Sequence, residues 1–200
     1  MSPGATFDRI YLALKQRLAS GALRAGDPLE PAHLSEELAA SITPIRDALH
    51  RLAGERLVEA PKNDGFRVPL ISELGLRHLY AWNAELLALA VRANRPHAPR
   101  PEPPDLMDAP AAQEAPLFAA IAKMSGNREH AASVSANNDR LAPVRLVEAQ
   151  LLSGTPGELA AIAAAFDAAD LGVLRTALAR YHRRRIRATP DIVAALHAPD

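Results

Sequence analysis

The chain contains no cysteine and few aromatic residues, and it carries no net charge. Without cysteine there can be no disulfide framework and no thiolate metal site. Aromatic residues make up 4% of the chain and apolar residues 48%, so a core must be built mostly from Leu, Ala, Ile and Val, which favours helices. Basic and acidic residues balance at 23 each, so net charge gives no support to a nucleic-acid partner.

Long apolar runs and the common catalytic motifs are also missing. No apolar stretch approaches membrane-spanning length, and the first residues resemble no secretion signal, so we expect a soluble, cytoplasmic protein without a membrane partner. There is no glycine-rich phosphate loop, no G-x-S-x-G and no H-E-x-x-H. We therefore predict neither an enzyme nor a bound cofactor.

What the chain does contain is a pattern of short amphipathic helices near its N-terminus. Phe7, Ile10, Tyr11, Leu14 and Leu18 form one apolar stripe, and Gly21 is placed to end that helix in a left-handed cap. Gly, Asp and Pro at positions 26–28 mark a turn, and a second helix is predicted to begin near Pro31 and to bury Leu34 and Leu38. Two helices joined by a turn predict the first part of a helix-turn-helix.

A third helix carries the candidate contacts to DNA. Thr43 is the expected N-cap and Pro44 the first helical residue, with Ile45, Ala48, Leu49 and Leu52 facing the core. Recognition helices read base edges with residues near their N-terminus. The candidate DNA contacts on this helix are Ser41, Thr43, Arg46, His50 and Arg51. A solvated surface helix would carry the same kinds of residues, so the helix alone does not decide the function.

Alternating apolar and polar residues follow, at 58–60 and 66–68, around a turn of Lys, Asn, Asp and Gly. This pattern predicts a two-stranded β-hairpin. A hairpin after such helices makes a winged helix, whose wing tip (Lys62, Asn63 and Gly65) would enter a minor groove.

These residues resemble the GntR family of bacterial transcription regulators. The family pattern L-x-x-G-x-L-x-x-G-D-x-L, followed by S-x-T-P-[VI]-R-[ED]-A-L-x-x-L, is matched from Leu18 to Leu29 and from Ser41 to Leu52. The resemblance implies a sequence-specific DNA-binding regulator that binds a roughly palindromic operator as a homodimer. It assigns Ser41, Thr43 and Arg46 to the DNA contacts and Gly65 to the wing. The chain departs from the family at Ala32 and Ile42, where arginine is common, and at Arg56, where glycine is common.

The fold class predicted for the whole chain is mainly α, with two domains. Residues 1–70 form the winged helix-turn-helix with its small hairpin, and residues 71–200 form an all-helical bundle. Helices are expected from Ser72 to about Asn94, from Leu117, and over roughly 129–152, 157–168 and 170–187, with a break at Thr189-Pro190. The proline-rich segment 96–116 is predicted to be a linker or irregular loop.

The second domain resembles, more weakly, the FCD effector domain of the FadR branch of this family. The match runs through Phe118, Ile121 and Ser125-Gly126-Asn127, then Glu158, Asp170, Ala177 and Leu178. Related domains bind a metal through one Asp and three His, and a carboxylate effector then coordinates the metal. The matching positions here are Ala115, Ala119, Leu159 and Tyr181, so the resemblance implies a degenerate domain and we predict no metal site.

The sequence does not identify the signal that would control the protein. A small organic acid could bind without metal, and the candidate contacts are Arg145 and His182. We expect the polar cluster of Asn137, Asn138, Asp139 and Arg140 with Arg145 and Glu148 to be a helix surface. The arginine run around His182 (Arg175, Arg180, Arg183, Arg184, Arg185 and Arg187) is expected to be a solvated last helix, and the alternative is an anion pocket or an accessory contact to DNA or a partner. The alternatives are a dimeric DNA-binding protein that needs no ligand, and a metal-dependent effector sensor or enzyme built on the bundle.

Overall fold

A computed structural model describes residues 3–62, 64–94 and 113–198 of the chain. Contacts between residues divide it into two compact units, Met1–Ile71 and Ser72–Asp200. The described parts of both units are mainly helical, as predicted. None of the helices in these ranges is long and apolar enough to cross a membrane.

The N-terminal unit has three described helices: α1 (Pro3–Ala19), α2 (Pro31–Glu37) and α3 (Ile42–Gly54). Helix α1 ends where the sequence predicts, because Gly21 adopts a left-handed φ of 71° that side chains with a Cβ rarely accept. The predicted stripe of α1 packs on α3, with Ile10, Leu14 and Ile45 at most 1% exposed. This core fixes which face of α3 points outward.

Helix α3 begins two residues earlier than predicted. Its N-cap is Ser41, with an extended ψ of 159°, and Thr43 lies inside the first turn. Pro44 is therefore the third helical residue. A proline is tolerated there because the first N–H groups of a helix have no intrahelical acceptor.

The predicted hairpin is reduced to single bridges in the residues that the structure describes, and no regular strand is present in them. Glu59 and Arg67 form one antiparallel bridge, with N–O distances of 2.8 and 3.0 Å between their backbones. Pro28 bridges Arg67 from the other side. Three extended segments thus meet at Arg67, and Asn63, predicted at the wing tip, lies outside the described residues.

Five described helices make up the second unit: α4 (Glu73–Arg92), α5 (Glu114–Lys123), α6 (Arg128–Leu151), α7 (Thr155–Asp167) and α8 (Leu171–Leu196). Ser72 caps α4 as predicted, since its Oγ accepts a hydrogen bond from the Gly75 N–H at 3.1 Å. Helix α4 packs most extensively on α8, and α5 packs on α6. Leu87, Phe118, Ile121 and Leu174 are fully buried in the shared core.

The expected break at Thr189-Pro190 is wrong, because α8 continues through it to Leu196. Pro190 has no N–H, so the carbonyl of Ile186 loses its partner one turn earlier. Arg77 of α4 replaces that partner, donating from Nη1 to the Ile186 oxygen at 3.1 Å. A side chain distant in sequence therefore removes part of the cost of an internal proline.

Most of the proline-rich segment 96–116 lies outside the described residues. The prediction of an irregular loop is wrong for its last part, because α5 begins at Glu114 and contains Pro116 in its first turn. The first turn of a helix accepts proline for the reason given for Pro44.

Candidate nucleic-acid interface

The outward face of α3 brings together most of the predicted DNA contacts. Thr43, Arg46 and His50 are exposed and lie three and four residues apart, so they follow one another along the helix surface, with exposed Ser41 at its N-terminal end. The opposite face is held in the core, where Ile45, Ala48, Leu49 and Leu52 are all fully buried. The helix cannot rotate this polar face inward without exposing its apolar one.

The N-terminus of α3 is free of side-chain capping. Ser41 is the N-cap, but its hydroxyl makes no capping hydrogen bond. The first N–H groups of the helix and the exposed Ser41 hydroxyl therefore lack that intramolecular hydrogen bond. Such a terminus favours a phosphate oxygen, because unpaired N–H groups and the helix dipole both attract anions.

His50 connects α3 to the segment that leads out of the predicted wing. Its ring meets the Phe66 ring edge to face, with centroids 4.9 Å apart and an interplanar angle of 74°. This contact fixes where the wing lies relative to the recognition face. His50 is still exposed, so its outer edge can reach a ligand.

Arg51 differs from the other candidates because its guanidinium is engaged within the unit. The guanidinium carbon lies 4.1 Å from the centre of the Tyr11 ring, and Nε is 3.2 Å from Glu55 Oε1. The Tyr11 hydroxyl donates to the other Glu55 oxygen at 2.9 Å. Arg51 thus ties α3 to α1, and the structure does not bring it to the outward face with Arg46.

At the predicted wing, Lys62 and Gly65 are exposed, and Gly65 has a φ of 68°. Arg67 is used internally: its Nε donates to Glu59 Oε2 at 2.9 Å, and Nη1 lies 3.4 Å from Asp64 Oδ2. The hydrogen bond to Glu59 raises the pKa of Arg67. Lys62, in contrast to Arg67, makes no ion pair with a described residue at this tip.

The three departures from the expected pattern all lie at the surface. Ala32 and Ile42 are exposed, Ile42 to 45%, so arginines would fit at both positions. Arg56 has a φ of 60°, in the left-handed region that favours glycine. The glycine common at this position thus has a physical reason, and this chain accepts strain there.

In the second unit, four of the six residues of the polar cluster predicted to be a surface are buried, and the prediction is wrong for them, while Asp139 and Arg140 are half-buried. Asn137, Asn138, Arg145 and Glu148 are at most 4% exposed. They occupy the same side of α6 as the buried Val134, Leu141 and Val144. The signal was in the sequence, because polar residues in register with an apolar stripe must face the core, where each needs a partner.

Glu148 and Arg185 form the centre of this buried cluster. Arg185 Nε donates to Glu148 Oε2 at 2.5 Å, and the Tyr80 hydroxyl donates to Oε1 at 2.5 Å. Arg185 Nη1 also donates to Glu158 at 3.0 Å. The expectation of a solvated arginine run is wrong here, since Arg185 is fully buried and Arg184 pairs with Glu158 at 3.0 Å.

Both predicted effector contacts, Arg145 and His182, are buried. Arg145 donates from Nη2 to Asn138 Oδ1 at 2.9 Å, while its Nη1 has no hydrogen-bond partner among the described residues. His182 Nδ1 donates to the Leu178 carbonyl at 2.7 Å, and its Nε2 lies 2.9 Å from Asn83 Oδ1. Burial lowers the pKa of His182 to about 4, so the imidazole is neutral at pH 7.

The positions that would hold a metal in related domains do not fit one. Ala115, Ala119 and Leu159 have no donor atom, and burial raises the pKa of the Tyr181 phenol, which keeps its proton. Among the described residues, no group of three or more His, Asp or Glu side chains could hold an ion. A divalent metal needs about four donors, and this set does not offer them.

Comparison with known proteins relates the N-terminal unit to a family of bacterial regulators. Residues 6–68 match the bacterial regulatory proteins of the gntR family. Over 83 residues the chain is 37% identical to the HTH-type transcriptional regulator McbR of Escherichia coli (strain K12). That alignment covers 39% of this chain and 36% of McbR, so the chain is matched over about a third of its curated relative.

Solved structures share the fold over a larger part of the chain. A protein from Rhodococcus sp. RHA1 assigned as a GntR transcriptional regulator has a TM-score of 0.75 at 18% identity, covering 96% of this chain and 99% of its own. The structure of E. coli McbR/YncC has a TM-score of 0.65 at 21% identity, covering 93% and 97%. At these identities the likeness shows the fold. The sequence match, the three helices and the outward face of α3 agree, and the N-terminal unit of this chain carries a helix-turn-helix of the gntR type.

Proposed function

We propose that this protein is a transcription regulator that binds a specific double-stranded DNA operator through the outward face of α3. The observation that carries this is the placement of Thr43, Arg46 and His50 on one exposed face, in a unit that matches the gntR family. A role on the chromosome also implies a cytoplasmic location.

The proposed contacts divide into two kinds. Ser41 and the free N-terminus of α3 would contact a phosphate, which positions the helix without reading sequence. Arg46 lies one turn further along the groove-facing side, where a guanidinium can donate two hydrogen bonds to a guanine edge. Lys62, Asn63 and Gly65 would lie at the minor groove, and Arg51 would act by holding α3 on α1.

The N-terminal unit carries no excess of cations to neutralise phosphates, which sets the expected strength of binding. Residues 1–68 carry nine basic and nine acidic side chains, and several of the cations already pair with carboxylates, Arg67 among them. Affinity for DNA rises with the number of phosphates that cations neutralise. We therefore expect weak non-specific binding and a shallow dependence on salt.

The proposed active form is a homodimer on a roughly palindromic site. A closed two-fold dimer presents two copies of α3 to symmetric half-sites, and those half-sites are spaced by about one helical turn of DNA. Specific affinity then comes from two weak contacts made together.

A small organic acid is the effector that the second unit fits best. Arg145 Nη1 and Arg185 Nη2 are buried donors without a partner among the described residues. Burial raises the pKa of the Glu114 carboxyl, and the positive charges of both arginines oppose that rise. A carboxylate could accept from such donors without any metal. His182 is neutral and donates its one ring N–H to the Leu178 carbonyl, so we assign it to positioning the bundle.

A ligand-independent regulator is the second candidate, and one observation favours it. Arg185 is already paired inside the bundle with both Glu148 and Glu158, so its charge needs no ligand. Thermal-shift screening of organic acids separates the two candidates: a rise in melting temperature that Arg145→Ala abolishes favours the sensor.

Selection of bound duplexes from a random pool tests the proposed function itself. The expected product is a single motif with two inverted half-sites, which gives the symmetry and the spacing together. Recovery of no enriched motif at low salt, from protein with native circular dichroism, would contradict the proposal.

A further inference from the structure

One face of α4 carries large apolar side chains in solvent. Leu74 is 63% exposed, Trp82 54% and Leu89 43%, and Ala81 and Ala88 are exposed beside them. Together with His78 and Glu85, these residues are called the α4 outer face below. Isolated exposed leucines need no explanation, but several large apolar side chains exposed on one face of a helix mark an interaction surface.

The α4 outer face is distinct from the side of α4 that builds the core. The inner side is formed by Leu76, Asn83, Leu87 and Ala90, all fully buried against the rest of the bundle. An ordinary surface helix would be polar on the opposite side. Helix α4 is instead apolar on two sides, and the outer one has no described element packed on it.

Two polar side chains on the same face give it a direction. His78 and Glu85 lie seven residues apart, two helical turns, on the line between Leu74 and Leu89. Neither side chain has an ion pair with any described residue. A partner that covers this face would match it with a hydrogen-bond acceptor near His78, a donor near Glu85 and apolar groups at both ends.

We propose that a second copy of this chain covers the α4 outer face, with the two α4 helices antiparallel about a two-fold axis between residues 81 and 82. Residues whose numbers add up to 163 then lie at the same height along the paired helices. Leu74 faces Leu89, and His78 faces Glu85 of the other copy. Trp82 faces Ala81, a small residue that leaves room for the indole.

The arrangement pairs the apolar residues at both ends of the face and the two polar residues between them at once. The leucine pairs lie about 22 Å apart, from fifteen residues at 1.5 Å each, and the tryptophans lie between them. An imidazole can donate a hydrogen bond to the carboxylate whichever protonation state it has. In a parallel pair, Glu85 would face Glu85, and like charges would repel.

This interface rests on the proposed function, because a regulator of inverted half-sites needs a two-fold partner. It goes further by naming the surface and the pairing. A failure of the interface is distinguishable from a failure of the function, since binding to DNA is measured separately from the residues that hold the dimer together.

The first test replaces an apolar residue of the α4 outer face by a charge. Leu89→Glu places two carboxylates in the dimer, one per copy, and should raise the dimer dissociation constant roughly tenfold to a hundredfold in sedimentation equilibrium. Val173→Glu is the matched control, because Val173 is 53% exposed on α8, outside this face. The control should leave dimerisation unchanged.

The fluorescence of Trp82 reports the same monomer–dimer equilibrium, since Trp82 is the only tryptophan in the chain. Its emission should shift to the blue as the concentration rises through the dissociation constant, and Leu89→Glu should move that shift to higher concentration. An emission maximum that stays constant from nanomolar to high micromolar concentration would overturn the interface, whether the face is free or covered by another segment of the same chain.

The second test uses the charges, and it is specific to the antiparallel pairing. Glu85→Lys alone should weaken the dimer, because an ammonium at position 85 would face the imidazole of the other copy. Adding His78→Glu should restore it, because a carboxylate at position 78 then faces that ammonium. In a parallel pair the double variant would face like charges at both positions and would be weaker still, which would overturn the proposed pairing.

DNA binding by the same variants distinguishes a failure of the interface from a failure of the proposed function. Wild type and Val173→Glu should protect two half-sites, and Leu89→Glu should protect two only at higher protein concentration. If Leu89→Glu dimerises and protects two half-sites as wild type does, the interface is wrong and the proposed function stands. If wild type dimerises through this face but selects no DNA, the proposed function is wrong and the interface stands.

Discussion

Replacement of Glu148 by glutamine should destabilise the helical unit strongly. Glu148 is 1% exposed and accepts hydrogen bonds from both Arg185 and Tyr80, each at 2.5 Å. The variant keeps the shape of the side chain but leaves the buried guanidinium without its nearest counter-charge. Removing one partner of a buried ion pair costs about 3–5 kcal/mol.

The remaining contacts of Arg185 place the expected cost near the lower end of that range. Its Nη1 still donates to Glu158, and the Tyr80 hydroxyl can still donate to the glutamine oxygen. We therefore expect a loss of about 3 kcal/mol in the free energy of unfolding, which lowers the melting temperature by roughly 6–12 °C. Urea unfolding followed by Trp82 fluorescence measures this in the unit that contains the pair.

A double-variant cycle separates the ion pair from other effects. Glu148→Gln and Arg185→Met together should cost less than the sum of the single changes, with a coupling of about 1–3 kcal/mol. Glu129→Gln, an exposed change on the same helix, should cost less than about 1 kcal/mol. If Glu148→Gln is as stable as Glu129→Gln, the buried pair does not hold the bundle as argued.

Three further outcomes are expected. Arg56→Gly should stabilise the N-terminal unit by about 1 kcal/mol in thermal unfolding, because glycine adopts a left-handed φ without strain. Arg56→Ala keeps that strain, so an equal gain in stability with alanine would contradict the reason given. Ile42→Arg should tighten DNA binding and steepen its salt dependence by about 0.9 per bound half-site, and an unchanged slope would mean that the α3 N-terminus is not at a phosphate. The pKa of His182 in the folded protein is about 4, below the 6.5 of an ordinary histidine. Between these two pH values the imidazole is protonated in the unfolded chain but not in the folded one, so the free energy of unfolding falls as the pH drops below 6.5. From pH 7 to pH 5 wild type should lose about 2 kcal/mol more than His182→Gln, and equal losses would place the imidazole in solvent.

The N-terminal unit is largely predictable because its local signals agree with its tertiary structure. Gly21 ends α1, Pro31 begins α2, and the apolar stripe of α3 faces the core. Each of these signals acts within a few residues, so sequence spacing is enough. The predicted start of α3 is two residues late because Ser41 and Thr43 are both acceptable N-caps and only tertiary packing decides between them.

The helical unit is less predictable, because distant partners decide its details. A proline normally ends a helix, and α8 passes Pro190 with the help of Arg77, which lies over a hundred residues earlier. Arg145 and Glu148 are typical of a surface when only their charge is considered. Their register on α6 indicates burial, but the partners that permit it lie two turns away on the same helix, as Asn138 does, or on another helix, as Arg185 does.

The central claim, that the outward face of α3 binds DNA, is tested most directly by Arg46→Ala on the operator recovered by selection. Arg46 is exposed and packs on nothing in the core, so the fold should keep its melting temperature. Affinity measured by fluorescence anisotropy at fixed salt should fall by about 1–3 kcal/mol, while Arg128→Ala, an exposed change in the second unit, should leave it unchanged. Equal affinities of wild type and Arg46→Ala would contradict the account.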